Sequence, residues 1–142
     1  MNTTTDLDRF ISAQADCYEV VRAELQAGRK TTHWMWFIFP QIDGLGQSTM
    51  AKRYAIRSRQ EAIDYLQHPV LGVRLLECTG LMLAVKGKSA FEILGTPDDL
   101  KFRSSMTLFA EVAGESVFRN ALDRFYEGKP DARTLELLKI NG

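Results

Sequence analysis

The chain has 142 residues, 45% of them apolar and 10% aromatic, which is enough to bury one core, and its 18 Lys plus Arg balance 18 Asp plus Glu. Zero net charge excludes a global field drawing the protein onto nucleic acid or an anionic membrane, so any charged partner is met locally. The two cysteines, Cys17 and Cys78, stand in no ligand spacing, which excludes a disulfide framework and a Cys/His metal site. The longest uncharged stretch, 31–42, is too short to span a bilayer, and Asp6 and Asp8 stand where an export signal carries basic residues. The expectation is a single all-helical cytoplasmic domain over residues 1–142, with both thiols reduced and buried.

From Asp6 onward, Leu7, Phe10, Tyr18, Val21 and Leu25 fall at spacings of three, eight, three and four, predicting one helix that Gly28 ends. Six apolar residues from Trp34 to Phe39 give no period and allow a strand or a helix. Helical neighbours favour a helix, capped by Thr31 or Thr32 and limited by Pro40, then a loop ending at Ser48, the N-cap of the next helix. Ser58-Arg59-Gln60-Glu61 fits a capping box and starts a helix toward Gln67, which His68-Pro69 breaks. Pro69 suits a first turn, and the run to Val85 is apolar on nearly every side, predicting a central buried helix over 69–85.

Ser89-Ala90-Phe91-Glu92 is a second capping-box pattern, leading into a turn or two that Gly95 closes. Thr96-Pro97-Asp98-Asp99 joins an N-cap threonine, a first-position proline and carboxylates at the positive end of the dipole, predicting a long helix to about Ala113 with Gly114 as its stop. Two more helices are predicted, over 116–127 before Gly128 and over 131–139 before Asn141-Gly142. The fold class is therefore all-α, about six to eight helices around the 69–85 helix.

The aromatic segment is the leading functional candidate. Trp34, Trp36, Phe37 and Phe39 carry more ring surface than one face of a short helix buries, so either some rings line a cavity for a planar ligand or the run is a large core anchor. Gly44-Leu45-Gly46 before Ser48 brings backbone N–H groups to a helix start, which favours anions, and Lys52, Arg53, Arg57 and Arg59 follow with no acid over 44–60. The pattern departs from a phosphate-binding loop: no strand precedes it, no lysine follows directly, and Thr49 replaces the last glycine of a Gly-x-Gly-x-x-Gly run. A tight turn with a solvated basic face accounts for it equally.

His33 beside Trp34 is a candidate general base or hydrogen-bonding group, while His68 occupies a helix junction. Lys101, Ser104 and Ser105 share one helix face, as the far wall of a pocket or as small residues that let helices approach closely. An apolar helix around Cys78 would raise its pKa and disfavours it as a nucleophile.

These residues carry a family resemblance. His33-Trp34-Met35-Trp36-Phe37-Ile38-Phe39-Pro40-Gln41, Gly44-Leu45-Gly46 with Ser48, Ala51 and Tyr54, then Glu61-Ala62, Tyr65-Leu66, His68-Pro69, Leu71-Gly72 and Arg74-Leu75, resemble the domain-of-unknown-function 1810 family. So do Lys101, Ser104 to Phe109, Gly128 and Thr134-Leu135, and the likeness runs from Leu7 to Leu138 with no departure at the motif positions. The resemblance implies a small all-helical fold and carries over no activity or catalytic residue.

The first expectation for function is a small-molecule-binding domain, enzymatic or not, taking an anionic, nucleotide-like ligand. Its pocket combines His33, Trp34, Trp36, Gln41, Gly44, Gly46, Ser48, Lys52 and Arg53 with the Lys101, Ser104 and Ser105 face, with His33 as the catalytic candidate and no metal or cofactor. The alternative is a non-catalytic helical module that binds a protein partner through an exposed groove. Neither nucleic acid nor membrane is an expected partner.

Overall fold

A computed structural model describes residues 6–141, and these form ten α-helices and no strand. They are α1 (Asp8–Ala15), α2 (Tyr18–Gln26), α3 (Met35–Ile38), α4 (Thr49–Arg53) and α5 (Arg59–Gln67), then α6 (Leu71–Ala84), α7 (Ala90–Leu94), α8 (Asp98–Val112), α9 (Ser116–Tyr126) and α10 (Ala132–Asn141). Among these residues no helix is long and apolar enough to cross a membrane. Ten helices exceed the expected six to eight because one predicted helix is split and three elements are only four or five residues long. The expected stop at Gly142 lies outside the described residues.

The split corrects the single helix expected before Gly28. The chain breaks at Asp16-Cys17, inside the eight-residue gap between Phe10 and Tyr18, and the Cys17 N–H closes a tight turn on the Gln14 carbonyl at 3.2 Å. Gln14 is drawn inward there, its Nε2 donating to the Phe37 carbonyl at 2.8 Å and to the Tyr65 hydroxyl at 3.2 Å. The apolar stripe is real but serves two helices.

Two helices share the centre. α6 packs against α2, α3, α5 and α9, while α8 packs against α5, α7, α9 and α10. α6 buries Leu71, Leu75, Cys78, Thr79 and Met82, yet Val73 on its outer face is 61% exposed, so its all-round apolar composition overstates its burial. The α8 run from Ser104 to Phe109 is wholly buried, and rings chain the layers together: Phe39 on Phe102 at 4.8 Å, Tyr65 on Phe109 at 5.6 Å, Phe109 on Phe118 at 5.8 Å between centroids.

Start signals are used in four ways. Ser89 and Glu92 make a complete capping box on α7. Ser58 accepts from the Glu61 N–H at 3.1 Å, but Glu61 turns away from the box to accept from the Arg57 N–H at 2.9 Å and to pair with Arg9 at 3.1 Å. Thr96 makes no cap bond; Pro97 holds the N-cap position of α8, and the Asp99 N–H reaches the Gly95 carbonyl at 2.9 Å. His68, expected only to occupy a junction, caps α6: its Nδ1 accepts from the Val70 and Leu71 N–H groups at 3.1 and 3.2 Å. That role needs an unprotonated Nδ1, hence the neutral tautomer with its proton on Nε2.

Glu24, near the end of α2, organises the segment that follows. Its carboxylate accepts from the Thr31 N–H (2.8 Å), the Thr32 N–H (3.1 Å), the Thr32 hydroxyl (2.6 Å) and the Trp34 indole Nε1–H (2.9 Å). Thr31 and Thr32 therefore do not cap α3, as expected from sequence; their donors point back to Glu24. Burial alone would raise the Glu24 pKa, but the hydrogen bonds outweigh it and hold the carboxyl at about 2.

A folded pKa below the unfolded value means that Glu24 stabilises the fold fully above the ordinary carboxylate range, and that this is lost as pH falls toward about 2. Glu24→Gln is expected to cost about 2–3 kcal/mol at neutral pH in denaturant titrations and to flatten the acid limb of stability against pH. An unchanged acid limb would remove Glu24 from this role. His68→Ala is expected to cost about 1 kcal/mol in thermal unfolding, the usual loss of an N-cap.

Candidate functional site

Residues 41–56 form a closed surface loop that carries the predicted glycines and α4. Its neck is one pair of backbone bonds: the Asp43 N–H to the Ile56 carbonyl at 2.7 Å, and the Ile56 N–H to the Gln41 carbonyl at 2.8 Å. Arg9 clamps the returning limb, with Nε on the Arg53 carbonyl at 2.8 Å and a terminal nitrogen on the Ala55 carbonyl at 2.8 Å. Compact loops with touching ends are common carriers of function.

Two glycines are required inside it. Gly44 sits at φ +108°, outside the range of ordinary side chains, with Leu137 of α10 packed over it. At Gly46 an added Cβ would lie 2.4 Å from the Ala51 Cβ, so the loop closes on α4 only without a side chain. Ser48 caps α4 as expected, accepting from the Ala51 N–H at 3.1 Å. Yet α4 has only five residues and its first acceptor is already in place, so the helix-dipole part of the expected anion site is weak.

The aromatic run divides between core and surface. Trp34, Met35, Phe37, Ile38 and Phe39 are buried; Trp36 is half-buried. Trp36 lines a narrow notch of about 10 Å³ with Gln41, Ile42, Gly44, Gly46, Ala51, Tyr54 and Ala55, enough for one water molecule. The Lys101 Nζ stands 5.7 Å from the centroid of the Trp36 ring. Asp98 closes on Lys30 at 2.8 Å and lies 3.9 Å from Lys101, which leaves Lys101 the less tightly paired cation.

Of the expected pocket, Trp36, Gln41, Gly44, Gly46 and Lys101 come together, and the others serve other ends. Trp34 is 1% exposed, its indole committed to Glu24 and its ring under the Lys30 ammonium at 5.1 Å. His33, Ser48, Lys52 and Arg53 are exposed, and none lines the notch. Ser104 is buried and bonds back to the Leu100 carbonyl at 3.2 Å, while the Ser105 hydroxyl is buried without a partner. Among the described residues no three His, Cys, Asp or Glu side chains converge as a metal site. Burial pushes the Cys78 thiol up to about 12, which keeps it protonated and poorly nucleophilic.

Sequence reasoning missed Glu24, Arg9, Glu61 and Gln14, which set the geometry of this site from other helices. Arg9, Gln14 and Glu24 carry no sequence pattern that marks them, and Glu61 reads as the reciprocal half of the Ser58 capping box, which hides its pairing with Arg9.

No curated protein matches the chain. The crystal structure of the conserved hypothetical protein Rv1873 from Mycobacterium tuberculosis is similar to it, with 55% sequence identity, a TM-score of 0.93, and coverage of 94% of this chain and 96% of that one. A family model described as protein of unknown function (DUF1810) matches residues 4–138, in agreement with the motif positions and the helical fold, and the chain belongs to that family.

Proposed function

We propose that the protein binds a small anionic molecule at the Trp36 notch. The carrying observation is the pairing of a half-exposed tryptophan with an ammonium: Lys101 stands over the Trp36 ring while its neighbour Asp98 is drawn to Lys30. A cation beside an aromatic face, next to a glycine loop whose N–H groups at 44, 46 and 47 have no protein acceptor among the described residues, suits an anion attached to a planar group. The notch holds no more than a water molecule, so the anionic group sits at its mouth beside Lys101 and the planar body, a nucleotide base for example, lies against Trp36. His33 is exposed and does not line the notch, and no catalytic role is assigned to it.

A second reading, a module that binds a protein partner, is favoured by one observation. Ile63, Leu66, Leu76 and Val112 line an open groove of about 260 Å³ beside Ala113 and Gly114. We place the protein in the cytoplasm, with support from two free thiols, Cys17 and Cys78.

The readings separate in a thermal-shift screen against nucleotides, sugar phosphates and inorganic phosphate. A ligand at 100 times its Kd is expected to add about 2.7 kcal/mol of stability and to change the emission of Trp36. Lys101→Met is expected to abolish the shift, and Trp36→Phe the emission change, since Trp34 is sealed in the core. No shift with any anion, or a shift that Lys101→Met leaves intact, overturns the proposal.

A further inference from the structure

An open trough of about 480 Å³ runs between α2 and the first turns of α6, lined by Tyr18, Glu19, Arg22, Pro69, Val70, Val73, Arg74 and Glu77. Its charges are unevenly committed. Arg22 pairs with both acids, with Glu19 at 2.9 Å and with Glu77 at 3.3 Å, and the Tyr18 hydroxyl donates to Glu77 at 2.5 Å. Burial and that bond push the Tyr18 pKa up, so it stays a donor. Both carboxylates are thereby engaged by Arg22 and Tyr18, and neither forms an ion pair with Arg74.

Arg74 is half-buried, and among the described residues no carboxylate lies within 4 Å of it. It is nevertheless held in place. Its guanidinium lies 4.5 Å from the Tyr18 ring centroid, and one terminal nitrogen donates to the Gln14 Oε1 at 3.2 Å. Gln14 is itself fixed in the core by its bonds to Phe37 and Tyr65. A guanidinium carries five N–H donors in a planar fork that matches carboxylate or phosphate, and among the described residues one of them is used.

We propose that this trough is a second binding site, distinct from the Trp36 notch, in which Arg74 grips the oxyanion of a small ligand and Pro69, Val70 and Val73 contact an apolar body attached to it. The start of α6 is not the anchor, because His68 already takes the Val70 and Leu71 N–H groups. The selective element is a cation preorganised by Tyr18 and Gln14 with its remaining donors unspent, beside an apolar strip on the same wall. Glu19 and Glu77 disfavour ligands with a second negative charge.

The test is a titration of nitrogen-15-labelled protein with benzoate, phenyl phosphate and inorganic phosphate, followed by NMR at the Arg74 Nε–H and the backbone amides of Tyr18, Arg22 and Val73. These signals are expected to shift and saturate with benzoate, a monoanion, and more weakly with phenyl phosphate, which carries close to two charges at neutral pH, with Kd in the micromolar to millimolar range, about −4 to −8 kcal/mol. The Trp36 indole N–H reports the other site separately, so failure at one leaves the other interpretable. Arg74→Lys, which keeps the charge but not the fork, is expected to weaken binding about tenfold. Val73→Glu, at an exposed position that does not disturb folding, sets a like charge beside the ligand and is expected to weaken it further. Still groove signals with all three probes, or equal affinity in wild type and both variants, overturns the assignment; equal binding of inorganic phosphate overturns its apolar half.

Discussion

The Glu24 carboxylate is the interaction on which the candidate site depends. Four donors from residues 31–34 converge on it, and without that acceptor a buried indole N–H would be left unpaired at a cost of about 1–3 kcal/mol. A helix of four residues has no stability of its own, and α3 exists because it is held at both ends. Trp34 is seated on Glu24 at its start, and the Phe37 carbonyl is taken by Gln14 and Tyr65 near its finish. With those two points fixed, Trp36 is the ring left at the surface.

Interior polar groups here act mainly on backbone, which explains how a chain of zero net charge keeps local imbalances at its surface. Glu24 binds a loop, Glu61 takes the Arg57 N–H, and Arg9 spends its donors on the Asp6, Arg53 and Ala55 carbonyls and on Glu61. Carboxylates used this way are withdrawn from pairing with exposed cations. Lys101 and Arg74 are two of the cations that come to rest on an aromatic ring, Trp36 in one case and Tyr18 in the other. Each cation is steadied by a π face, which orients the charge without neutralising it.

What sequence made legible was local. Ser48, Ser58 and Ser89 announce their helices because capping acts within three residues, and the α8 span and its end at Ala113 follow from Asp98, Asp99 and Gly114 in the same way. The break at Asp16-Cys17 was not legible, since its cause, Gln14 turned toward Phe37, lies 23 residues away in the chain. His68 as a cap escaped notice because imidazole is an uncommon choice there. In the candidate site, the glycines and Trp36 were read from the segment itself. Which of two tryptophans is core was decided by Glu24, ten residues upstream of Trp34, and spacing carries no sign of it.

The Arg9 clamp sets an order of events during synthesis. Three of its partners, the Arg53 and Ala55 carbonyls and the Glu61 carboxylate, lie 44, 46 and 52 residues further along, so α1 leaves the ribosome with only the nearby Asp6 carbonyl to receive its guanidinium. Until Glu61 emerges, that charge has no carboxylate partner, and α1 can settle only through Phe10 and the bond from Gln14 to the Phe37 carbonyl. The neck of the closed loop pairs within itself, but its returning limb is fastened to the rest of the fold only when α1 brings the Arg9 guanidinium to the Arg53 and Ala55 carbonyls.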